Sequence, residues 1–208
     1  MSLIARIRRA MCIHGIELSP GELSLAMSLV WLDVVGRLAP HAPNVTPIAA
    51  SAVFAGMVLR SRALALAVPL AAMLVSDLVV GAYDWRIMGV VYAALALPAL
   101  LARWGRALRP VVVLAPLVLF SSLLFFATTN FAVWAFSGMY AHDLHGLVLC
   151  YVAALPFLWN TVAGDALWTT LLSGAYSVSS SWRERQTRSL PSPLWGGSAR
   201  SAGVRVVR

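Results

Sequence analysis

Two aspartates lie inside long apolar runs of the sequence without an arginine one helical turn away, and a carboxylate is expensive in such a position. Asp77 stands about six residues before the end of the run 63–83, and Asp165 lies near the middle of the run 160–176. An ionisable side chain at the centre of a bilayer costs about 2.5 to 3.5 kcal/mol on insertion scales, so it needs a partner, a water-filled cavity or a function. We therefore expect both carboxylates to face protein and to serve a solute site.

Asp165 also belongs to a polar stripe in which each residue follows the last by four. The members of this stripe are Thr161, Asp165, Thr169 and Ser173. Residues at this spacing share one face of a helix. The hydroxyl members fit either hydrogen bonds between helices or the wall of a site.

A proline-rich segment, residues 40–47, separates the first two apolar runs and holds three candidate binding residues, His41, Asn44 and Thr46. Proline restricts the backbone and removes hydrogen-bond donors, so this segment is predicted to be a rigid, non-helical loop. A rigid loop can hold these side chains in set directions, which suits a ligand site.

The remaining candidates carry amide or aromatic side chains near the ends of later apolar runs, and they are Asn130, Trp134, Tyr140 and Asn160. A pocket of amide, hydroxyl and aromatic groups, backed by the two aspartates, would fit a small polar or amphiphilic solute. The alternative is that these groups only cap helix ends.

The composition decides which kind of element must position these residues. Of the 208 residues, 60% are hydrophobic and 12% are charged, and the mean hydropathy is +0.80. These values are typical of a membrane protein. Because lipid cannot hydrogen-bond a bare backbone, long apolar runs predict membrane-spanning helices.

Six spans are predicted, the second of them short. Their ranges are 22–38, 46–59, 63–83, 87–102, 110–136 and 160–176. Fourteen of the sixteen arginines then fall on one side, together with both termini. Since cytoplasmic loops carry the excess of positive charge, we expect both termini in the cytoplasm and the proline-rich loop outside.

A seventh span would move the six arginines of the tail outside, so residues 147–157 are predicted to form a half-helix before the sixth span. Residues 1–19 are predicted to be a cytoplasmic lead-in, and 20–177 the six-helix domain. The Ser-, Arg- and Pro-rich residues 178–208 are predicted to be a disordered basic tail. Within the first span, Asp33 and Arg37 are four apart and are predicted to form an ion pair.

Several chemistries do not fit the sequence. All basic residues are arginines, so neither a Walker A lysine nor a Schiff-base lysine is present. The pattern of intramembrane aspartyl proteases fails because Val162 occupies a required glycine position. His41, His142, Asp143 and His145 could gather around a divalent cation, but the spacing of these residues is weak evidence for a metal site. We expect no enzymatic activity, cofactor, metal site or nucleic-acid partner.

Several segments together resemble an uncharacterised bacterial family that is usually described as a transport protein. They are residues 40–47, 76–77, 129–134, 138–140 and 160–165. The organisation of that family is similar to the substrate-capture (S) components of energy-coupling factor transporters. This resemblance implies a six-helix bundle in the bacterial inner membrane that binds its solute from the outer side. It also implies partners, namely a transmembrane coupling subunit and two ATPases.

The sequence therefore predicts a multi-pass transport protein that captures a small solute of the vitamin or cofactor-precursor class. Two alternatives stay open, a stand-alone ion-coupled carrier and a membrane assembly protein without transport activity. In S components the coupling subunit docks at small residues spaced by four, and here Ala52 with Gly56 is the candidate pair.

Overall fold

The computed structural model describes residues 19–104 and 110–189, and these parts of the chain are helical, without a β-strand. The helices are α1 (Pro20–Leu38), α2 (Ile48–Val58), α3 (Arg62–Val80), α4 (Trp85–Leu101), α5 (Pro110–Phe136) and α6 (Leu144–Ser189). The expected all-α fold is confirmed for the described residues. Within the described ranges, the residues from 19 to 173 form one compact unit, and a second unit begins at Gly174.

Polar side chains fix where several helices begin. At the start of α1 the Ser19 hydroxyl accepts a hydrogen bond from the Glu22 amide at 3.1 Å, and the N-cap of α4 is Asp84, whose carboxylate accepts from the Arg86 amide at 2.8 Å. Each cap satisfies one of the amide groups that the first turn of a helix leaves without a partner. The Arg86 guanidinium also bonds this carboxylate and holds the pKa of Asp84 below its usual range.

Among the described residues, three helices are long and apolar enough to cross a membrane: Arg62–Val80, Leu114–Phe136 and Leu144–Ser179. Large apolar side chains are exposed on these helices, for example Leu78 on α3 and Leu167 on α6. Such surfaces are unfavourable in water and favourable against lipid. The chain is therefore a membrane protein.

Helix α2 lies at the centre of the bundle and packs against α1, α3, α4 and α5. All of its residues from Ala50 to Gly56 are buried. Small side chains dominate its sequence, which lets four helices approach it closely. With 11 residues, it is about 16 Å long at 1.5 Å per residue, roughly half the hydrocarbon thickness of a bilayer.

The pair Ala52 and Gly56 packs inside this bundle. Ala52 is fully buried, and a methyl group at position 56 would collide with the carbonyl oxygen of Ala99 on α4. The prediction that this pair docks an outside coupling subunit is therefore wrong, because α4 already occupies the face that the small residues create.

The last helix corrects a second prediction. Residues 147–157 do not form a separate half-helix, because α6 runs continuously through Pro156 from Leu144 to Ser189. A proline removes one backbone hydrogen bond and strains a helix, but a helix with enough flanking turns continues through it. Residues 178–189 of the predicted tail also belong to this helix. Residues 190–208 and 1–18 lie outside the described residues.

Candidate functional site

The proline-rich loop between α1 and α2 packs down onto two glycines. A methyl group at position 36 of α1 would lie 2.6 Å from Cδ of Pro47, and one at position 164 of α6 would lie 3.0 Å from Cα of Val45. Only glycine leaves room for so close an approach. Gly36 and Gly164 therefore hold the loop between α1 and α6.

A cavity of about 130 Å³ lies under this loop, at the N-terminal end of α2. Its polar wall consists of Arg37, Asn44, Thr46, Thr161 and Asp165. Its apolar wall consists of Ile48, Ala49, Met73, Val91, Leu95 and Phe125. The lining comes from the loop and every helix of the bundle, so this cavity is a feature of the whole fold.

A second cavity of about 200 Å³ adjoins the first, and both are lined by Asn44, Phe125 and Thr161. It adds aromatic and polar groups from α5 and α6, namely Phe126, Thr129, Asn130, Phe157 and Leu158. Asn44 is exposed and has a positive φ of 65°. Both cavities therefore extend to the protein surface at the loop.

Arg37 is the cationic group of the first cavity, and its charge is matched. Its Nη1 lies 2.7 Å from Oδ1 of Asp77 and donates to the Ser76 hydroxyl at 2.6 Å. The other carboxylate oxygen of Asp77 accepts from the Tyr92 hydroxyl at 2.9 Å. Asp77 is thus buried behind Arg37, where it orients the guanidinium and does not line either cavity.

The predicted ion pair between Asp33 and Arg37 is wrong. Arg37 turns to Asp77 on α3, and Oδ2 of Asp33 accepts from the Ser51 hydroxyl on α2 at 2.5 Å. Asp33 is fully buried, and its Oδ1 has no hydrogen-bond partner among the described residues. A spacing of four permits a pair on one helix, but a closer acceptor on a neighbouring helix competes with it.

Asp165 has a different environment from Asp77. It is 2% exposed, and its Oδ2 accepts from the Ser122 hydroxyl of α5 at 2.6 Å. No arginine within the described ranges pairs with it, since the ion pairs found there are Arg37–Asp77 and Arg86–Asp84. A carboxylate held by one hydroxyl at a cavity wall is positioned to receive a further donor.

Other members of the polar stripe on α6 are also turned toward protein. The Thr161 hydroxyl donates to the carbonyl oxygen of Phe157 at 2.8 Å and its side chain is buried. The Thr169 hydroxyl, two turns beyond, is buried without a hydrogen-bond partner in the described structure.

Of the predicted binding residues, the structure brings four to the two cavities: Asn44, Thr46, Asn130 and Asp165. The others lie elsewhere. His41 is exposed, with its Nδ1 2.5 Å from the Ala39 carbonyl oxygen. The Trp134 indole donates to the Ala141 carbonyl at 2.9 Å.

Tyr140 and Asn160 are part-buried and line neither cavity. In the described residues no group of three His, Cys, Asp or Glu side chains could hold a metal ion.

The residues of the site that were missing from the predicted set include Arg37, Ser122 and Phe125. Arg37 could have been found from Asp77. That carboxylate has no basic residue within a turn on its own helix, so it needs a cation from a different helix. Ser122 also had a signal, because Ser121 and Ser122 interrupt an otherwise apolar stretch of α5. Phe125 stands among apolar residues, and no local pattern distinguishes it from residues that face lipid.

Comparison with known proteins gives one match. Residues 19–189 match the model of a family described as "Family of unknown function (DUF6580)". No curated protein and no solved structure matches the chain.

Proposed function

The chain belongs to the DUF6580 family, whose function is unknown, and from its own residues we propose that it is a transport protein of the bacterial inner membrane. It captures a small solute from the outer side in the cavity under the proline-rich loop. It delivers the solute as the S-like subunit of an importer, together with a transmembrane coupling subunit and two ATPases.

The observation that carries this proposal is the polar cavity inside an apolar bundle. Arg37 and Asp165 stand in its wall beside Asn44 and Thr46, although each charged group is costly at membrane depth. A protein that only assembles with others would gain more from filling this space with apolar side chains. Irregular backbone at membrane depth is tolerated where it lines a cavity, which supports a solute site beneath the loop.

The direction of capture rests on the arginine distribution. Fourteen of the sixteen arginines lie on the side opposite the proline-rich loop in the six-span arrangement. The cavity then opens outward through Asn44. Membrane-impermeant thiol labelling tests this direction, with single cysteines at position 41 and position 208. The first is expected to react in intact cells and the second only after lysis. The reverse pattern would contradict capture from outside.

Capture itself is tested on the purified full chain in lipid nanodiscs, by thermal-shift screening against a library of vitamins, cofactor precursors and other small polar solutes. We expect at least one solute to raise the midpoint of unfolding in the native chain and to lose this effect in Asn44→Ala. The matched control is Asp84→Asn, which keeps a good N-cap outside the cavity. A library without a single stabilising solute would contradict the proposed function.

The ATP-driven arrangement needs a separate experiment. The chain is co-expressed with a coupling subunit and two ATPases of the same organism, and co-purification is measured. Uptake into proteoliposomes that contain the chain alone, driven by an ion gradient without ATP, would instead favour the stand-alone carrier. Buried carboxylates such as Asp33, whose Oδ1 has no hydrogen-bond partner in the described parts of the chain, are the feature that keeps this carrier as the second candidate.

A further inference from the structure

Resting on the proposed function, the charges around the cavity define which solutes fit it. Two ionisable side chains stand in its wall, Arg37 and Asp165. The Arg37 guanidinium already has an anionic partner at 2.7 Å, Asp77, and a hydroxyl acceptor at 2.6 Å, Ser76. These contacts make this side of the cavity neutral overall.

Asp165, by contrast, has no cationic partner in the part of the chain that the structure describes. Its one hydrogen-bond partner among the described residues is the neutral Ser122 hydroxyl, and it is almost completely buried. An ionised carboxylate without a nearby cation is very unfavourable in such surroundings. The charge that the site lacks is therefore positive, and we infer that the solute is a small organic amine whose ammonium group pairs with Asp165.

The surroundings of Asp165 favour an organic ammonium over a metal ion. Ca²⁺ takes six to eight oxygen ligands and Mg²⁺ a complete octahedron, whereas the wall of this cavity has one carboxylate in addition to the amide of Asn44 and two threonine hydroxyls. An ammonium group has three donors and is satisfied by a carboxylate together with one or two neutral acceptors. The ring of Phe125, which lines both cavities, adds a surface that attracts cations.

The body of the solute is defined by the second cavity. That space adjoins the first and is walled by Phe126, Phe157 and Leu158 in addition to Phe125. An aliphatic or aromatic group attached to the amine can extend into it and remove apolar surface from water. Asn130 and Thr129 supply polar groups at its edge.

The N-terminal end of α2 forms another part of the wall of the first cavity, and it favours an acceptor group on the solute. Its first residues, Ile48 and Ala49, line the cavity, and its N-cap is Pro47, which makes no side-chain capping bond. The first amide groups of a helix have no partner within it and carry a partial positive charge. An amine that also bears an uncharged acceptor oxygen, such as an amide carbonyl, satisfies both ends of the cavity.

An anion is a poor fit for the same reasons. It would have to displace Asp77 from Arg37 or share the guanidinium with it, and it would lie in a space that Asp165 makes negative. Like charges in a poorly solvated site repel strongly.

The experiment compares probes of one shape and different charge on the purified full chain in nanodiscs. The probes are 2-phenylethylamine, its neutral counterpart 2-phenylethanol, the anion phenylacetate, and phenylalanine amide, which combines an ammonium with a carbonyl. Affinity is measured by calorimetry and by thermal shift. We expect the amine to bind at least about tenfold more tightly than the alcohol, phenylacetate not to bind, and phenylalanine amide to bind most tightly.

Variants assign this preference to the carboxylate. Asp165→Asn keeps the shape and the bond to Ser122, and it is expected to weaken the amines about 30-fold or more while leaving 2-phenylethanol nearly unchanged. Asp165→Glu retains the charge and should keep the preference for amine over alcohol even where overall affinity falls. Asp84→Asn removes an exposed carboxylate outside the cavity and should bind the amines as the native chain does.

The outcomes separate this inference from the function on which it rests. Amine binding that survives Asp165→Asn, or tighter binding of the alcohol or acid in either cavity, would overturn the cationic class and leave solute capture intact. If no probe and no solute of the wider library binds, both the class and the proposed function are wrong.

Discussion

Asp77 and Asp165 are alike in sequence, since each is an acidic residue deep inside an apolar helix, yet the fold gives them different partners. Asp77 contacts a guanidinium at 2.7 Å and a tyrosine hydroxyl at 2.9 Å. Asp165 contacts one serine hydroxyl and a cavity. The difference shows that the role of a buried carboxylate depends on whether the protein itself supplies a positively charged partner. Where it does, the carboxylate orients the groups around it. Where it does not, a bound ligand can supply the positive charge.

The largest difference between the two aspartates should appear in stability. Asp77→Asn leaves Arg37 without an anionic partner, and breaking a buried ion pair in this way costs about 3 to 5 kcal/mol. We expect a loss of this order in the free energy of unfolding in bicelles. The double variant Arg37→Met/Asp77→Asn, which removes the stranded cation, should recover most of it. An unchanged stability of Asp77→Asn would mean that the pair is not formed.

Asp33 provides an intermediate case, because within the described ranges it has a single hydroxyl partner and lines neither of the two cavities. Ser51→Ala removes that partner and leaves both carboxylate oxygens unsatisfied in a fully buried position. We expect a loss of about 1 to 3 kcal/mol in the free energy of unfolding. Ser28→Ala, on the exposed side of α1, is the control and should have little effect.

The two sides of the proline-rich loop can be compared through their glycines, since Gly36 precedes Arg37 and Gly164 precedes Asp165. A methyl group at position 36 is the more crowded of the two, at 2.6 Å against 3.0 Å. We expect Gly36→Ala to destabilise the protein by about 1 kcal/mol or somewhat more, and Gly164→Ala by less. Equal losses in thermal unfolding would show that the loop does not pack more tightly on α1 than on α6.

The smallest effect on folding is expected at Asp165 itself. In Asp165→Asn the amide oxygen can still accept from Ser122, so the free energy of unfolding should change by less than about 1 kcal/mol. A loss as large as that of Asp77→Asn would make Asp165 a structural residue. The comparison between the two aspartates would then no longer distinguish a ligand site from a structural pair.

The helices could largely be predicted from the sequence, and their contacts could not. The run 110–136 coincides with α5, and the short second run contains α2, because apolar runs between polar breaks reflect local backbone requirements. The half-helix at 147–157 was predicted from the distribution of arginines, and it was wrong because that distribution bears on the side at which a segment ends and not on whether a helix is continuous. The predicted pairing of Arg37 with Asp33 was wrong because the actual partner, Asp77, is 40 positions away in the sequence. Spacing rules for a single helix do not predict contacts at that separation.

The residues of the candidate site likewise divide into those that the sequence could predict and those that it could not. Asn44, Thr46 and Asp165 were candidates because polar residues are unusual in apolar or proline-stiffened segments, and they line one cavity. Phe125 had no such contrast with its neighbours, whereas Ser122 did, in the polar pair Ser121 and Ser122. Trp134 and Tyr140 were as conspicuous as the residues of the cavity, but neither lines either of the two cavities, and the Trp134 indole bonds the nearby Ala141 carbonyl.

The brevity of α2 has a consequence for how far a bound molecule must travel. An 11-residue helix covers about 16 Å, so the insulating layer between the floor of the cavity and the opposite face is only about half as thick as the bilayer. Any voltage across the membrane would fall mainly over that thin partition. In the proposed orientation, with the loop on the outer side, a charged cargo at the first turn of α2 would already have passed through the outer half of the bilayer.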